Sequence, residues 1–192
     1  MWRTMIAIDD GMSRKLELDE PNNFHRLLWR MFGKRSEAGR DYTFRADERD
    51  GGWILVVQSR KEPNTDAIKG VVTKVKSGRI SDIPKGTYDF TVRANSAKRD
   101  SHTKKLMPRR RDETIEWFRG RMLESGAKVV DVRLVDSYIR NARRNGEDHN
   151  VVRNVVELRG EIRVVNPKDF NERVLTGVGR AKFEGYGMIV LS

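Results

Sequence analysis

The chain contains no cysteine, which excludes a disulfide framework, a thiol nucleophile and cysteine-ligated zinc. Histidine is nearly as scarce. The three present, His25, His102 and His149, are too dispersed to build a metal site. Carboxylates are plentiful, but no spacing gathers them for magnesium. The G-x-S-x-G element of a serine hydrolase is missing. No apolar stretch reaches the ~18 residues of a membrane span. The opening MWRTMIAIDD lacks the apolar core and small-residue cleavage site of a secretory signal. Cytoplasmic residence without a membrane partner is therefore expected. The chemistry left is proton transfer without metal or cofactor.

What the chain has in excess is positive charge. It carries 39 Lys and Arg against 28 Asp and Glu, a net charge of +11 over 192 residues, with pI near 10.1. Such a balance points to a polyanion, usually nucleic acid. The distribution sharpens this reading. Arg93, Lys98, Arg99, Lys104, Lys105, Arg109, Arg110 and Arg111 face only Asp100. A second cluster comprises Arg140, Arg143 and Arg144. Both would repel themselves unless a polyanion lay alongside.

Hydrophobic periodicity predicts the elements. A strand over 4–8 is followed by a helix over 21–32, with Phe24, Leu27, Leu28 and Met31 on one face and Arg26 and Arg30 on the other. Gly33 suits the helix stop. Segments 41–47 and 53–59 read as strands around Asp50-Gly51-Gly52. A short helix over 66–72 and a strand over 87–95 complete a first βαββαβ unit. Residues 96–111 read as a basic connector. A helix over 112–125, strands over 129–140 and 151–165 joined through Asn145-Gly146, a helix over 167–175 and a strand over 187–191 form a second unit. Its first strand would come from the connector's flank. The expected fold is α+β, with two tandem ferredoxin-like (RRM-like) βαββαβ domains over 1–95 and 112–192, and the connector over 96–111.

Three features bear on chemistry. His25 sits at the edge of the apolar face of the first long helix, near its N-terminus and among arginines. It reads either as boundary packing or as a neutral imidazole fit for general base work. His102 fits a phosphate contact, and His149 an exposed hairpin tip. The segment GVGRAKFEGYG, with four glycines and the cations Arg180 and Lys182, matches neither a dinucleotide fingerprint nor a Walker loop. It suits either close approach to an RNA backbone or packing between the halves. RNA offers a substrate for metal-free proton transfer. A base can deprotonate its 2′-OH, and cations can steady the phosphorane.

With these residues in view, the chain resembles the CasE family of CRISPR-associated endoribonucleases from type I-E systems. The resemblance runs through His25 to Phe32 (H-x-x-L-W-x-x-F), Arg40 to Phe44 (R-D-[FY]-x-F), Val56 to Ser59, and Arg93 to Asn95 (R-A-N). It ends in a G-x-G-x-x-K-x-x-G-x-G loop at Gly177, Gly179, Lys182, Gly185 and Gly187. The resemblance implies cleavage of the CRISPR repeat hairpin at the 3′ base of its stem, without metal, leaving a 2′,3′-cyclic phosphate. The protein would then stay on the RNA with other subunits of the Cascade complex.

The resemblance places catalysis on His25. Some members carry a tyrosine one helical turn earlier, where this chain has Asn22. Asn22 is taken as a second catalytic candidate, and its departure keeps a non-catalytic hairpin holder or antagonist as the alternative. RNA contacts are expected from Arg26, Arg30, Lys34, Arg35, Lys98, Lys104, Lys105, Arg109, Arg110, Arg140, Arg143 and Arg144, and from Gly177, Gly179, Arg180 and Lys182 of the loop. Glu184 places an acid beside the expected phosphate.

Overall fold

A computed structural model describes residues 1–33, 42–143 and 150–192. Lys34, Arg35, Arg40, Arg144, His149 and the Asn145-Gly146 turn lie outside the described residues. So do the side chains of Asn22 and Arg143, whose backbones are in a helix and a strand.

The first sheet contains β1 (Trp2–Asp9), β2 (Tyr42–Arg49), β3 (Gly52–Ser59) and β4 (Lys74–Arg79) in the order β2-β3-β1-β4, all antiparallel. Alternation along β1 and β3 sends Ile6, Ile8, Leu55 and Val57 to one face, where each is buried. Against that face lies α2 (Pro21–Phe32), which follows the short α1 (Asp10–Lys15). Its Phe24, Leu27, Leu28 and Met31 are all at most 4% exposed, as the helical period requires. Burying a side chain such as Leu28 contributes about 1.5–3 kcal/mol. Proline enters the helix at its first turn, and Gly33 ends it at φ 76°.

The second sheet orders β10 (Ile189–Leu191), β5 (Gly86–Asn95), β9 (Asn150–Val164) and β8 (Ala127–Arg143) as β10-β5-β9-β8. Helices α3 (Arg111–Leu123) and α4 (Pro167–Thr176) bury Phe118, Met122, Phe170 and Val174 in a core with Phe90, Val92, Val156, Leu158 and Ile162. Both halves thus have the ferredoxin-like strand order. α4 also leans on the first sheet: Thr43 Oγ1 donates to the Val174 carbonyl at 3.1 Å, and Arg60 pairs with Glu172 at 2.6 Å. Two bulges interrupt the β8–β9 ladder, between Val129 and Asp131 and between Leu134 and Asp136.

Strand pairing corrects the expected division of the chain. The strand over 87–95, read as the last of the first half, is β5 and opens the second sheet, paired with β9 and β10. The fourth strand of the first sheet is β4, where KVKSGR lies exposed along the edge beside β1. Its lysines and glycine offer no apolar alternation, so the pattern did not mark it as a strand. The break between sheets therefore falls between Arg79 and Gly86. The helix expected over 66–72 is a single 3₁₀ turn, Thr65–Ile68, followed by Gly70 at φ 76°. The basic connector is not open coil. It folds into the two-stranded β6 (Lys98–Arg99) and β7 (Leu106–Met107) before α3.

Candidate active site and nucleic-acid interface

His25 is half-buried on α2, on the turn above the helix start. Its ring packs on Trp29, one turn on, with centroids 4.4 Å apart. The Nδ1 atom lies 3.0 Å from the phenolic oxygen of Tyr42. Tyr42 opens β2, is only 4% exposed, and stacks on Phe32 at 4.6 Å. Packing thus fixes the phenol, and the phenol fixes the imidazole. The contact engages Nδ1. When Nδ1–H donates to the phenol, Nε2 carries a lone pair, the state of a general base.

Around His25, Arg26 and Arg30 are exposed on the polar side of α2. Arg26 donates to Asn23 Oδ1 at 3.2 Å, and Asn23 Nδ2 donates to the Glu17 carbonyl at 2.8 Å. The 3₁₀ turn Lys182–Glu184 of the glycine-rich segment packs against α2. This brings Lys182 to the helix that carries His25.

The glycines of that segment have a stereochemical reason of their own. Gly187, at φ 90°, lies so close to the Val178 carbonyl that a Cβ would stand 2.1 Å from its oxygen. At Gly185 a Cβ would stand 2.9 Å from the Phe44 ring. Gly177 is buried, while Gly179 is half-buried. The backbone of Arg180 is joined to that of Asn95, its N–H donating at 3.2 Å. Glu184 is not presented to the exterior. Its side chain is 3% exposed and takes the Nε–H of Arg153 at 2.9 Å.

Between the sheets lies a cleft of about 520 Å³. It is lined by Arg45 and Asp47 of β2, Arg93 of β5, Glu157 and Arg159 of β9, and Arg140 and Tyr186. Arg93 bridges Asp47 at 3.0 Å and Glu157 at 3.2 Å, while Arg45 reaches Asp47 at 2.7 Å and Glu157 at 3.4 Å. Burial works against ionising Asp47 and Glu157, but the surrounding guanidinia outweigh it and hold both carboxyls below their ordinary values. Burial raises the Tyr186 phenol, with Arg140 beside it pulling the other way.

The expected contacts separate into groups. Lys98, Arg109, Gly179, Arg180 and Lys182 come together on the wall of one basic pocket. Arg140 lies apart from them in the inter-sheet cleft. Lys104 and Lys105 are exposed at the β6–β7 tip, and Arg110 is exposed at the start of α3. His102 is exposed in the same tip. Sequence reasoning missed Tyr42 as the partner of His25, although it had the tyrosine in view within R-D-[FY]-x-F. It also missed Arg121, Arg173 and Trp117 on the pocket wall. The weak signal for Trp117 and Arg121 was helical spacing that places them one turn apart, while Arg173 lies on α4 and had none.

A family model described as CRISPR associated protein matches residues 1–192. The chain is 24% identical over 206 residues to the CRISPR system Cascade subunit CasE of Escherichia coli strain K12, covering 100% of this chain and 99% of that protein. Thermus thermophilus Cse3, bound to an RNA representing a pre-cleavage complex, superposes with a TM-score of 0.82 at 23% identity, covering 100% of this chain and 98% of the other. The CRISPR-associated protein Cas6e of Escherichia coli K-12 superposes at 0.70 with 20% identity, covering 100% and 99%. The tandem ferredoxin-like fold is shared with both.

Proposed function

Since the chain belongs to the family of CRISPR-associated proteins, matched across residues 1–192, we propose that it is a metal-independent endoribonuclease acting on the CRISPR repeat hairpin. The observation that carries this reading is the 3.0 Å contact between Tyr42 and His25 Nδ1, which orients one imidazole on the helix packed against the glycine-rich turn. Similarity to the Cascade subunit CasE supports the choice of assembly partners, and the fold shared with RNA-bound Cse3 supports the choice of RNA. The chain stays on the processed hairpin as a Cascade subunit, alongside the other subunits.

In this mechanism Nε2 of His25 removes the proton of the 2′-OH upstream of the scissile bond. The O2′–P bond forms and the P–O5′ bond breaks, giving a 2′,3′-cyclic phosphate. The departing O5′ takes a proton and leaves as 5′-OH, and the imidazolium formed in the first transfer can supply it. Arg26, Arg30 and Lys182 provide positive charge for the phosphorane, whose charge grows as the bonds exchange. Asn22, three residues before His25 on the same helix, is assigned to positioning the 2′-OH or phosphate. Arg110, Lys104, Lys105 and Arg140 supply backbone contacts that set register.

The test is cleavage of a repeat-hairpin RNA in EDTA. Cutting by the wild-type chain, lost in His25→Ala with binding retained, is the expected result. A strict requirement for a divalent cation would remove the mechanism. Asn22, standing where some relatives carry tyrosine, favours a second reading in which the chain only holds the hairpin. Tight binding without cutting by the wild-type chain would select that reading.

A further inference from the structure

The pocket that gathers the connector and the glycine-rich segment has an uncommon wall. Its volume is about 390 Å³, and its lining contains Lys98, Arg99, Arg109, Arg121, Arg173, Arg180 and Lys182 but no carboxylate. Two of these cations are answered from outside the wall, Lys98 by Glu113 at 2.8 Å and Arg121 by Glu124 at 2.9 Å. Among the described residues, Arg99, Arg109, Arg173 and Arg180 form no ion pair. Arg109 lies over the Trp117 ring at 5.9 Å and donates to the Ser96 carbonyl at 2.9 Å. Arg173 donates to Ser125 Oγ at 2.6 Å and to the Gly177 carbonyl at 3.4 Å. Neutral acceptors thus aim both guanidinia while leaving their charge in place. Burial pulls Arg109 below its ordinary value, and Arg121 and Arg180 add to that pull while Glu113 opposes it. Cations held together at such a cost call for an anion.

We infer that this pocket takes one backbone phosphodiester of the bound RNA, outside the cleaved linkage, with Arg121, Arg173 and Arg180 as ligands beside Arg109. The inference rests on the reading that the chain binds RNA, but not on its cutting RNA. Gly179, Arg180 and Lys182 of the loop line this pocket, while Glu184, Gly185 and Tyr186, further along the same loop, line the inter-sheet cleft. The cleft is mixed in charge and the pocket wholly basic. Guanidinium groups suit the phosphate because they can donate two parallel hydrogen bonds to it.

The experiment measures affinity in the full-length His25→Ala chain, so that cleavage does not intrude. Repeat-hairpin RNAs carry a neutral methylphosphonate at one linkage at a time. The expected result is a linkage outside the cleavage site where the substitution weakens binding about tenfold, the scale of one lost charge-assisted contact. In Arg121→Ala/Arg180→Ala that linkage becomes indifferent, and the salt slope of log K falls by about one. Arg14→Ala, which removes an exposed charge on α1, serves as the charge control and keeps the wild-type pattern. An interference pattern and salt slope unchanged by the double substitution would overturn the inference. So would inorganic phosphate that binds the pocket, detected by shifted Trp117 fluorescence, with no sensitive linkage in the RNA. If the hairpin is not bound at all, the RNA reading falls. If it is bound but the wild-type chain does not cut it, only the catalytic reading falls.

Discussion

The phenol of Tyr42 and Nδ1 of His25 stand 3.0 Å apart, joining the first residue of β2 to α2. In the proposed mechanism Tyr42 is a positioning residue, since it acts through the imidazole. Tyr42→Phe keeps the stack on Phe32 but removes the oxygen. Single-turnover cleavage should fall about tenfold or more, with hairpin affinity held and the pH–rate profile displaced. A profile that keeps its midpoint would assign Tyr42 to packing alone.

Glu113 ties the connector to α3 and should make stability depend on acid pH. Its carboxylate accepts from Lys98 at 2.8 Å and from the Arg110 N–H at 3.0 Å. The Lys98 hydrogen bond is the largest influence, and together these bring the Glu113 pKa from 4.5 to about 2. A folded-state value below the unfolded one stabilises the fold at pH above 4.5, and that contribution drains away as pH falls toward about 2. Glu113→Gln should therefore lower stability at neutral pH and flatten the acid limb of the unfolding curve. Thermal melts of both proteins from pH 7 to pH 2 check the sign.

The inter-sheet network should be intolerant of single deletions. Glu157 is 8% exposed and meets Arg45, Arg93 and Arg159. Glu157→Ala leaves those guanidinia clustered around a void and should cost about 3 kcal/mol. Urea unfolding measures this loss. Replacing Asp47 in the same background should cost more than it does alone, because with Glu157 gone Asp47 is the carboxylate left to compensate Arg45 and Arg93.

Gly187→Ala tests the close approach at the end of the loop. The added Cβ meets the Val178 carbonyl oxygen, and φ of 90° is itself unfavourable for alanine. The variant should lose more than ~1 kcal/mol of stability. By contrast Gly78→Ala, on exposed β4 with open space at its Cβ, should be close to neutral.

The long, strongly periodic elements were legible from sequence because each has one apolar face. α2 and the β8–β9 pair are where their patterns place them. β4 was not legible because Val75 is its one apolar residue, set among lysine, serine, glycine and arginine, too little to show alternation. Missing it shifted the count by one and assigned β5 to the wrong sheet. Strand alternation shows that a strand exists, while its partner is decided by tertiary pairing. At the candidate site, the place of His25 on α2 was legible by type and position. The oxygen holding it lies across a sheet–helix contact that no local pattern encodes. Charge density marked the basic connector, but gave no sign that α3 and α4 complete the pocket with Arg121 and Arg173.

Strand β8 ends the second sheet, and its free side offers unpaired backbone groups to any passing strand. The residues skipped at its two bulges are Val130 and Val135, which are turned outward at 48% and 52% exposure. A straight ladder there would let a second copy add itself edge to edge. The bulges break that ladder twice, and Lys128, Asp131, Arg133 and Asp136 put exposed charge around each break. The same irregularities that disturb the β8–β9 register thus guard the edge of the second sheet against pairing with a second copy of the chain.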